Sequence, residues 1–198
     1  MSENKKTLQL TRRDFIKVIG GVAALGVSYG ILSPQSTFPR VSPPGAILPA
    51  ESFRAACNGC GKCVAVCPHN ALRQNIFGQP YIDGLSGWCD LCMICVNACP
   101  TGALTSVDPK TTKLGLAVIN KDRCIAWQSA GCRLCYEKCD TLQKAISVDS
   151  DWRPSINDQL CNGCGACVNV CPRSDKSGGD LRAGRVVSLK AIVNEHRN

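Results

Sequence analysis

The chain has 198 residues, of which 5% are aromatic and sixteen are cysteine, and its formal charge is +8. So few aromatic side chains make a meagre ordinary hydrophobic core, and the absence of any lysine and arginine run interleaved with aromatics leaves a nucleic-acid reading without support. The charge is uneven as well, since Lys5, Lys6, Arg12, Arg13, Lys17 and Arg40 against Glu3 and Asp14 put +4 in the first forty residues and leave +4 for the remainder.

In chain order, Thr11-Arg12-Arg13-Asp14-Phe15-Ile16-Lys17 resembles a twin-arginine export signal, and an uncharged, glycine- and alanine-rich stretch from Val18 to Leu32 follows it. This stretch suits a signal h-region and is short and small-residued for a transmembrane helix. Residues 1–33 are therefore expected to form a signal or anchor helix. Residues 34–50, rich in proline and serine, read as a linker, and 51–198 as the folded domain. No A-x-A cleavage site stands at the expected distance, so cleavage and retention as a membrane anchor both fit. The twin-arginine route carries proteins already folded, which places the domain in the periplasm or on the outer face of the cytoplasmic membrane.

All sixteen cysteines fall into four consecutive quartets: Cys57, Cys60, Cys63, Cys67; Cys89, Cys92, Cys95, Cys99; Cys124, Cys132, Cys135, Cys139; and Cys161, Cys164, Cys167, Cys171. Three have the spacing Cys-x2-Cys-x2-Cys-x3-Cys, the ligand run of bacterial 4Fe-4S proteins, in which three cysteines wrap one cluster and the fourth reaches across to its neighbour. The fourth cysteine is expected at the start of a helix. Gly59, Gly61, Gly163 and Gly165 let backbone N–H groups approach an anionic cluster, and Pro68, Pro100 and Pro172 complete a Cys-Pro signature. The third quartet departs twice, with seven residues between Cys124 and Cys132 and Asp140 in place of proline, so Cys124 is the ligand to check. Sixteen thiolates imply four 4Fe-4S clusters, each of charge about −2, which turns the domain's +4 into roughly −4.

Other uses of these cysteines fit less well. Structural zinc leaves the third cysteine of each tight triplet without a role, cysteines two residues apart pair poorly as disulfides, and no Cys-x-x-Cys-His run supports covalent haem. His69 and His196 read as loop and tail residues.

The quartets begin 32, 35 and 37 residues apart, which describes an array of one repeated unit. Leu114–Asn120 and Pro154–Asn157 read as strands delivering the chain to Cys124 and Cys161, and Ala103–Val107 and Ala145–Val148 as short apolar returns. Val64, Val66, Val96, Val168 and Val170 are expected to shield clusters from water. Trp88, Trp127 and Trp152 are expected to pack beside them. The fold class is α+β: tandem ferredoxin-like modules, two units of two 4Fe-4S clusters each, rich in loops.

Which quartets pair is a separate question. CNGCGKCVAVCP and CNGCGACVNVCP, around the first and fourth quartets, agree at ten of twelve positions. This favours an outer pair and an inner pair. Cys57, Cys60, Cys63 would then share a cluster with Cys171, and Cys161, Cys164, Cys167 with Cys67. The inner sets would be Cys89, Cys92, Cys95 with Cys139, and Cys124, Cys132, Cys135 with Cys99. Pairing of sequence neighbours is the alternative.

The twin-arginine start, Ser42-Pro43-Pro44-Gly45-Ala46, Gly115-Leu116-Ala117-Val118 and the widened third quartet ending in Cys135-Tyr136-Glu137-Lys138-Cys139 together resemble the NapG/MauM family of ferredoxin-type proteins, over nearly the whole chain. The resemblance implies an electron-transfer subunit rather than a catalyst. Its donor would be a NapH-type membrane protein that oxidises quinol, its acceptor a periplasmic cytochrome or reductase of a nitrate reductase system, and its contact with the membrane surface would run through the partner or an uncleaved signal. The same wiring for an amine-oxidising or other molybdenum system is the alternative, and a structural zinc protein the last. The sequence has neither a nucleotide-binding glycine fingerprint nor a Cys-x3-Cys-x2-Cys run of the radical S-adenosylmethionine type.

Overall fold

A computed structural model describes residues 41–129, 131–173 and 186–191. The expected signal or anchor at 1–33, the first part of the linker and His196 lie outside the described residues. Two modules of like plan follow one another. In each, a segment before one ligand loop pairs with a segment after the next, and a short two-stranded ribbon lies between the loops.

In the first module, helix α1 (Ala50–Ala56) buries Phe53 and delivers the chain to Cys57. After the first ligand loop come helix α2 (Lys62–Ala65) and the antiparallel strands β1 (Leu72–Gln74) and β2 (Pro80–Ile82), with Leu72 opposite Ile82. In the turn joining them, Asn75 Oδ1 accepts from the N–H groups of Phe77 and Gln79, both at 2.9 Å, and the Gln74 side chain donates to Gly78 O at 2.7 Å. Helix α3 (Ile94–Asn97) follows the second loop.

The second module opens with strand β3 (Gly115–Ile119), and helices α4 (Ile125–Gln128) and α5 (Leu134–Asp140) carry the third quartet. Strands β4 (Ile146–Val148) and β5 (Pro154–Ile156) form the second ribbon. Its turn repeats the device of the first, with Asp149 Oδ1 accepting from the N–H groups of Asp151 at 3.0 Å and Arg153 at 2.8 Å. Helix α6 (Ala166–Val170) follows the last loop, and strand β6 (Val187–Ala191) closes on β3, Gly115 opposite Ala191 and Ile119 opposite Val187.

The expected linker is corrected from residue 41 onward, because this stretch is the opening segment of the first module. Val41 is fully buried and exchanges backbone hydrogen bonds with Ile82 at 3.1 and 2.8 Å. Ala46 bridges to Leu104, the N–H of Thr105 donates to Gly45 O at 2.7 Å, and Ile47 donates to Ala103 O at 3.2 Å. The proline content that suggested a tether instead fixes φ in a segment held by pairing. The return expected at Ala103–Val107 is therefore no hairpin strand; it is the partner of this opening segment.

The helices also sit differently from expectation. In the three regular quartets the third cysteine lies inside the helix and the fourth follows it: Cys171 is the C-cap of α6, and Cys67 and Cys99 come just past α2 and α3. In the third quartet Cys139 lies within α5.

The core is small and built around the cysteines. Val41, Ile82, Val168 and Leu189 are fully buried, and buried or partly buried cysteines complete the same apolar cluster. Of the valines expected to shield clusters, Val96 and Val168 are buried and Val64 packs on the core, but Val66 is 40% exposed. Trp127 packs on the core and donates from its indole N–H to Pro154 O at 3.2 Å. Trp152 instead lies exposed in the β4–β5 turn with the Arg133 guanidinium 4.5 Å from its ring.

Candidate metal centres

Each regular ligand loop is turned by the residue after its first cysteine. Asn58 Oδ1 accepts from the N–H of Cys60 at 3.3 Å, Asp90 Oδ1 from Cys92 at 3.2 Å, and Asn162 Oδ1 from Cys164 at 3.1 Å. These are Asx turns, which set the direction of the following N–H groups. Nothing in the cysteine count pointed to them, although the recurrence of Cys-Asx-x-Cys in the first, second and fourth quartets and its absence from the third, Cys124-Ile125, was there to be read. Two further positions per loop take positive φ. In the first and last loops they are Gly59, Gly61, Gly163 and Gly165; in the second they are Leu91 at 60° and Met93 at 58°. At Gly163 the need is steric as well, since a Cβ would stand 2.4 Å from the Gly115 nitrogen and 2.5 Å from its oxygen on strand β3.

The cysteines gather into four sets, each drawn from two neighbouring quartets. Cys57, Cys60, Cys63 and Cys99 line one cavity of about 330 Å³, mouth included. Cys124, Cys132, Cys135 and Cys171 line another of about 370 Å³, and Cys161, Cys164, Cys167 and Cys139 a third of about 340 Å³. The second set follows the same rule: burial above all raises the thiols of Cys89, Cys92 and Cys95, and Cys67 lies close enough to each to add to the shift. We refer to the sets as first, second, third and fourth by the triplet each contains.

The sharing expected between outer quartets and between inner quartets is thus not the arrangement found. Cys171 stands with the third triplet rather than the first, Cys67 with the second, Cys99 with the first and Cys139 with the fourth. The physical reason is the chain's path: the antiparallel ribbon after the first and third loops turns the chain back to the side it left, so that the next loop arrives beside its predecessor. Cys124, despite the widened spacing, lines the third cavity with the other three.

The cavities suit an anionic cluster held by thiolates. Backbone N–H groups point at sulfur, from Ala71 to Cys67 at 3.3 Å, Ala145 to Cys139 at 3.3 Å and Ala117 to Cys161 at 3.5 Å. Burial pushes the thiols of Cys89 and Cys135 up to about 12 and that of Cys95 to about 11, with neighbouring cysteines adding to the shift; Cys167 is raised well above its ordinary value for the same reasons. Such sulfurs are stable as thiolates only beside a positive metal centre. At Cys99 burial also pushes upward, but hydrogen bonds from Thr101 and from the Leu104 and Ala103 backbone outweigh it and hold the thiol below its usual range. No three His, Cys, Asp or Glu side chains among the described residues converge as a single metal ion would require. The cysteines instead line spaces of about 330 to 370 Å³.

His69 is no cysteine-set member. Its ring stacks on Trp88 with centroids 4.8 Å apart and bonds Asp90 at 3.1 Å.

These features define the class: an α+β protein of two tandem ferredoxin-type modules that bind iron-sulfur clusters. Family models described as 4Fe-4S dicluster domains match residues 56–104 and 117–176, one on each module. The ferredoxin-type protein NapG of Escherichia coli is 32% identical over 184 residues, covering 80% of this chain and 78% of that protein. NapG of Haemophilus influenzae is 31% identical, covering 84% and 70%, and the methylamine utilization ferredoxin-type protein MauM of Methylobacillus flagellatus is 31% identical, covering 84% and 78%. The chain belongs to the NapG/MauM family of ferredoxin-type proteins, and its function is electron transfer rather than catalysis.

Proposed function

We propose that the sixteen cysteines hold four 4Fe-4S clusters, and that the chain passes electrons through them from a NapH-type quinol-oxidising membrane protein to a periplasmic nitrate reductase system. The observation that carries the cluster count is the partition of the cysteines into four sets of four, three of them lining separate cavities. Bound there, each cluster would take up and give back one electron. The protein's part is to supply four thiolates, direct N–H groups at their sulfurs and keep water away. The resemblance of the N-terminus to a twin-arginine signal supports export of the loaded protein to the periplasmic side; no helix among the described residues is long and apolar enough to cross a membrane.

Iron and acid-labile sulfide analysis after anaerobic purification tests the count, with about sixteen irons per chain expected from four clusters of four. Zinc without sulfide would return the structural reading. Reduction by quinol tests the route: the loaded chain should be reduced in membranes containing the partner and not in membranes lacking it. A second acceptor is favoured by the MauM relative, whose name places it in methylamine utilization. Electron delivery to or from an amine-oxidising system would then replace the nitrate system, and oxidation of the reduced chain by one system and not the other decides.

A further inference from the structure

The modules meet where the Val41 side chain lies against Gly115 of β3, and along contacts that involve the flanks of two cysteine sets. The N–H of Cys89 donates to the carbonyl of Cys164 at 2.8 Å, joining a ligand residue of the second set directly to one of the fourth. Five residues before Cys89, Gly84 lies against Gly165 and Val168. A Cβ on Gly84 would stand 2.7 Å from Val168 Cβ and 3.0 Å from Gly165 O. The Asn169 side chain donates to Leu85 O at 3.1 Å, and the Lys138 ammonium lies 4.1 Å from the ring of Trp88. Trp88 adjoins Cys89, and Lys138 adjoins Cys139, the fourth ligand residue of the fourth set.

Within each module the sets are tied by the chain. Cys67 of the second set comes four residues after Cys63 of the first, and Cys139 of the fourth set comes four after Cys135 of the third. Exchange inside a module therefore joins first to second and third to fourth. One junction remains to be placed, the crossing between modules.

We propose that this crossing is the Cys89–Cys164 contact, so that the four sets form an unbranched line in the order first, second, fourth, third. The order rests on the reading that each set holds a cluster. It differs from chain order: the first and third sets are the termini, and the last quartet in the sequence supplies the inner station of its module. Each transfer moves one electron with no bond made or broken and no proton moved; the side that gives it is oxidised by one as the side that takes it is reduced by one. The external donor and acceptor are the quinol-oxidising partner and the periplasmic acceptor, and the line requires them to engage opposite ends. The Gly84–Gly165 approach sets how near the inner sets stand, which makes Gly84 a positioning residue.

Magnetic coupling gives a readout independent of any partner. In the full iron-loaded chain reduced with dithionite, pulsed EPR should show splitting within each module and a further interaction between modules. Serine at Cys92 or Cys164, altering or emptying an inner set, should remove the inter-module interaction; serine at Cys60 or Cys132 should leave it in place. Loss with the latter pair instead, or a parent chain without coupling between modules, overturns the order. Should a serine variant fail to accumulate, Gly84→Ala retains every ligand: the expected result is weakened inter-module splitting with both intra-module splittings kept, and an unchanged spectrum at full iron content refutes the crossing. Failure of quinol reduction would leave this result standing, whereas absence of sulfide would show as a failed cluster count and not as a changed order.

Discussion

Gly163→Ala is the substitution that tests most directly how the fourth ligand loop is held. Gly163 has φ of +75°, and an alanine Cβ there would meet the Gly115 nitrogen at 2.4 Å, its oxygen at 2.5 Å and its carbonyl carbon at 2.6 Å. These are backbone atoms of a paired strand, so they cannot rotate aside as a side chain would. Left-handed backbone costs about 1–2 kcal/mol for a residue with a Cβ, and forcing atoms into a filled space costs about 1–3 kcal/mol more. Gly102→Ala is the matched control: φ is +70°, yet nothing lies within 4 Å of the added Cβ. It carries the backbone strain alone, offset by about 0.4–1 kcal/mol from the lower entropy of the unfolded chain. The difference between the two variants is thus the contact term, about 1–3 kcal/mol, which corresponds to roughly five- to 150-fold at 1.4 kcal/mol per decade. The assay is the half-life of iron-sulfur absorbance in a fixed guanidinium concentration under anaerobic conditions, since loss of clusters makes unfolding a rate rather than an equilibrium. Gly163→Ala should bleach faster than Gly102→Ala by about that factor. Equal half-lives would refute the argument that closeness to β3, beyond φ alone, requires glycine at this position.

Cys171→Ser should alter the Mössbauer spectrum of the set containing Cys124, Cys132 and Cys135 and leave the set of Cys57, Cys60 and Cys63 unchanged; damage to the latter would contradict the partition by neighbouring quartets. Val41→Ala removes two methyl groups from a fully buried position and should destabilise the first module by about 2 kcal/mol, whereas Ile76→Ala, at a position 93% exposed, should change stability by less than about 0.5 kcal/mol; the half-life of iron-sulfur absorbance in a fixed guanidinium concentration should fall for the first and stay near the parent value for the second. Because burial raises the thiols of Cys89 and Cys135 to about 12, these sulfurs keep their protons through the neutral range until iron displaces them. Cluster reconstitution should therefore release these protons and go on becoming more favourable above about pH 9, where ordinary thiols have already ionised, as followed by absorbance and calorimetry in buffers of different ionisation enthalpy; an affinity that levels off near that pH would contradict the burial of these thiols.

The elements legible in the sequence were those that carry a run of apolar alternation of their own. Leu114–Asn120, Ala145–Val148 and Pro154–Asn157 announced β3, β4 and β5 by apolar alternation, and β4 and β5 are each other's neighbours. Val41–Ile47 and β6 were not legible, because their partners, at Ile82 and Leu104 and at β3, lie far along the chain and neither segment carries more than a few apolar residues. The cysteine quartets gave all sixteen candidate ligands but not their grouping, since the spacing inside a quartet is the same whichever neighbour receives its fourth member. The likeness of the first and fourth quartets misled for a physical reason. What they share is glycine at the positive-φ positions, and the second loop places Leu91 and Met93 at the same φ near 60°. The matching text thus records one backbone conformation written in its easiest residues, and carries no information about which loops face each other.

The grouping has a consequence for how the protein holds together. Each set takes three cysteines from one loop and one from the neighbouring loop, so within a module neither loop can complete a set by itself. The ribbon between the loops and the pairing of the module's first segment with its last, Ala46 with Leu104 and β3 with β6, bring the two loops to one another. On the proposed cluster assignment, ligand binding and strand pairing are mutually dependent, as in small domains whose folding is linked to metal. Between modules the link is of another kind, a few backbone and side-chain contacts around Val41, Gly84, Leu85, Trp88 and Cys89 with no shared ligand. Loss of a module's strand pairing, Ala46 with Leu104 or β3 with β6, should therefore disturb both sets of that module before it reaches the other, which makes the module the unit in which this protein is assembled.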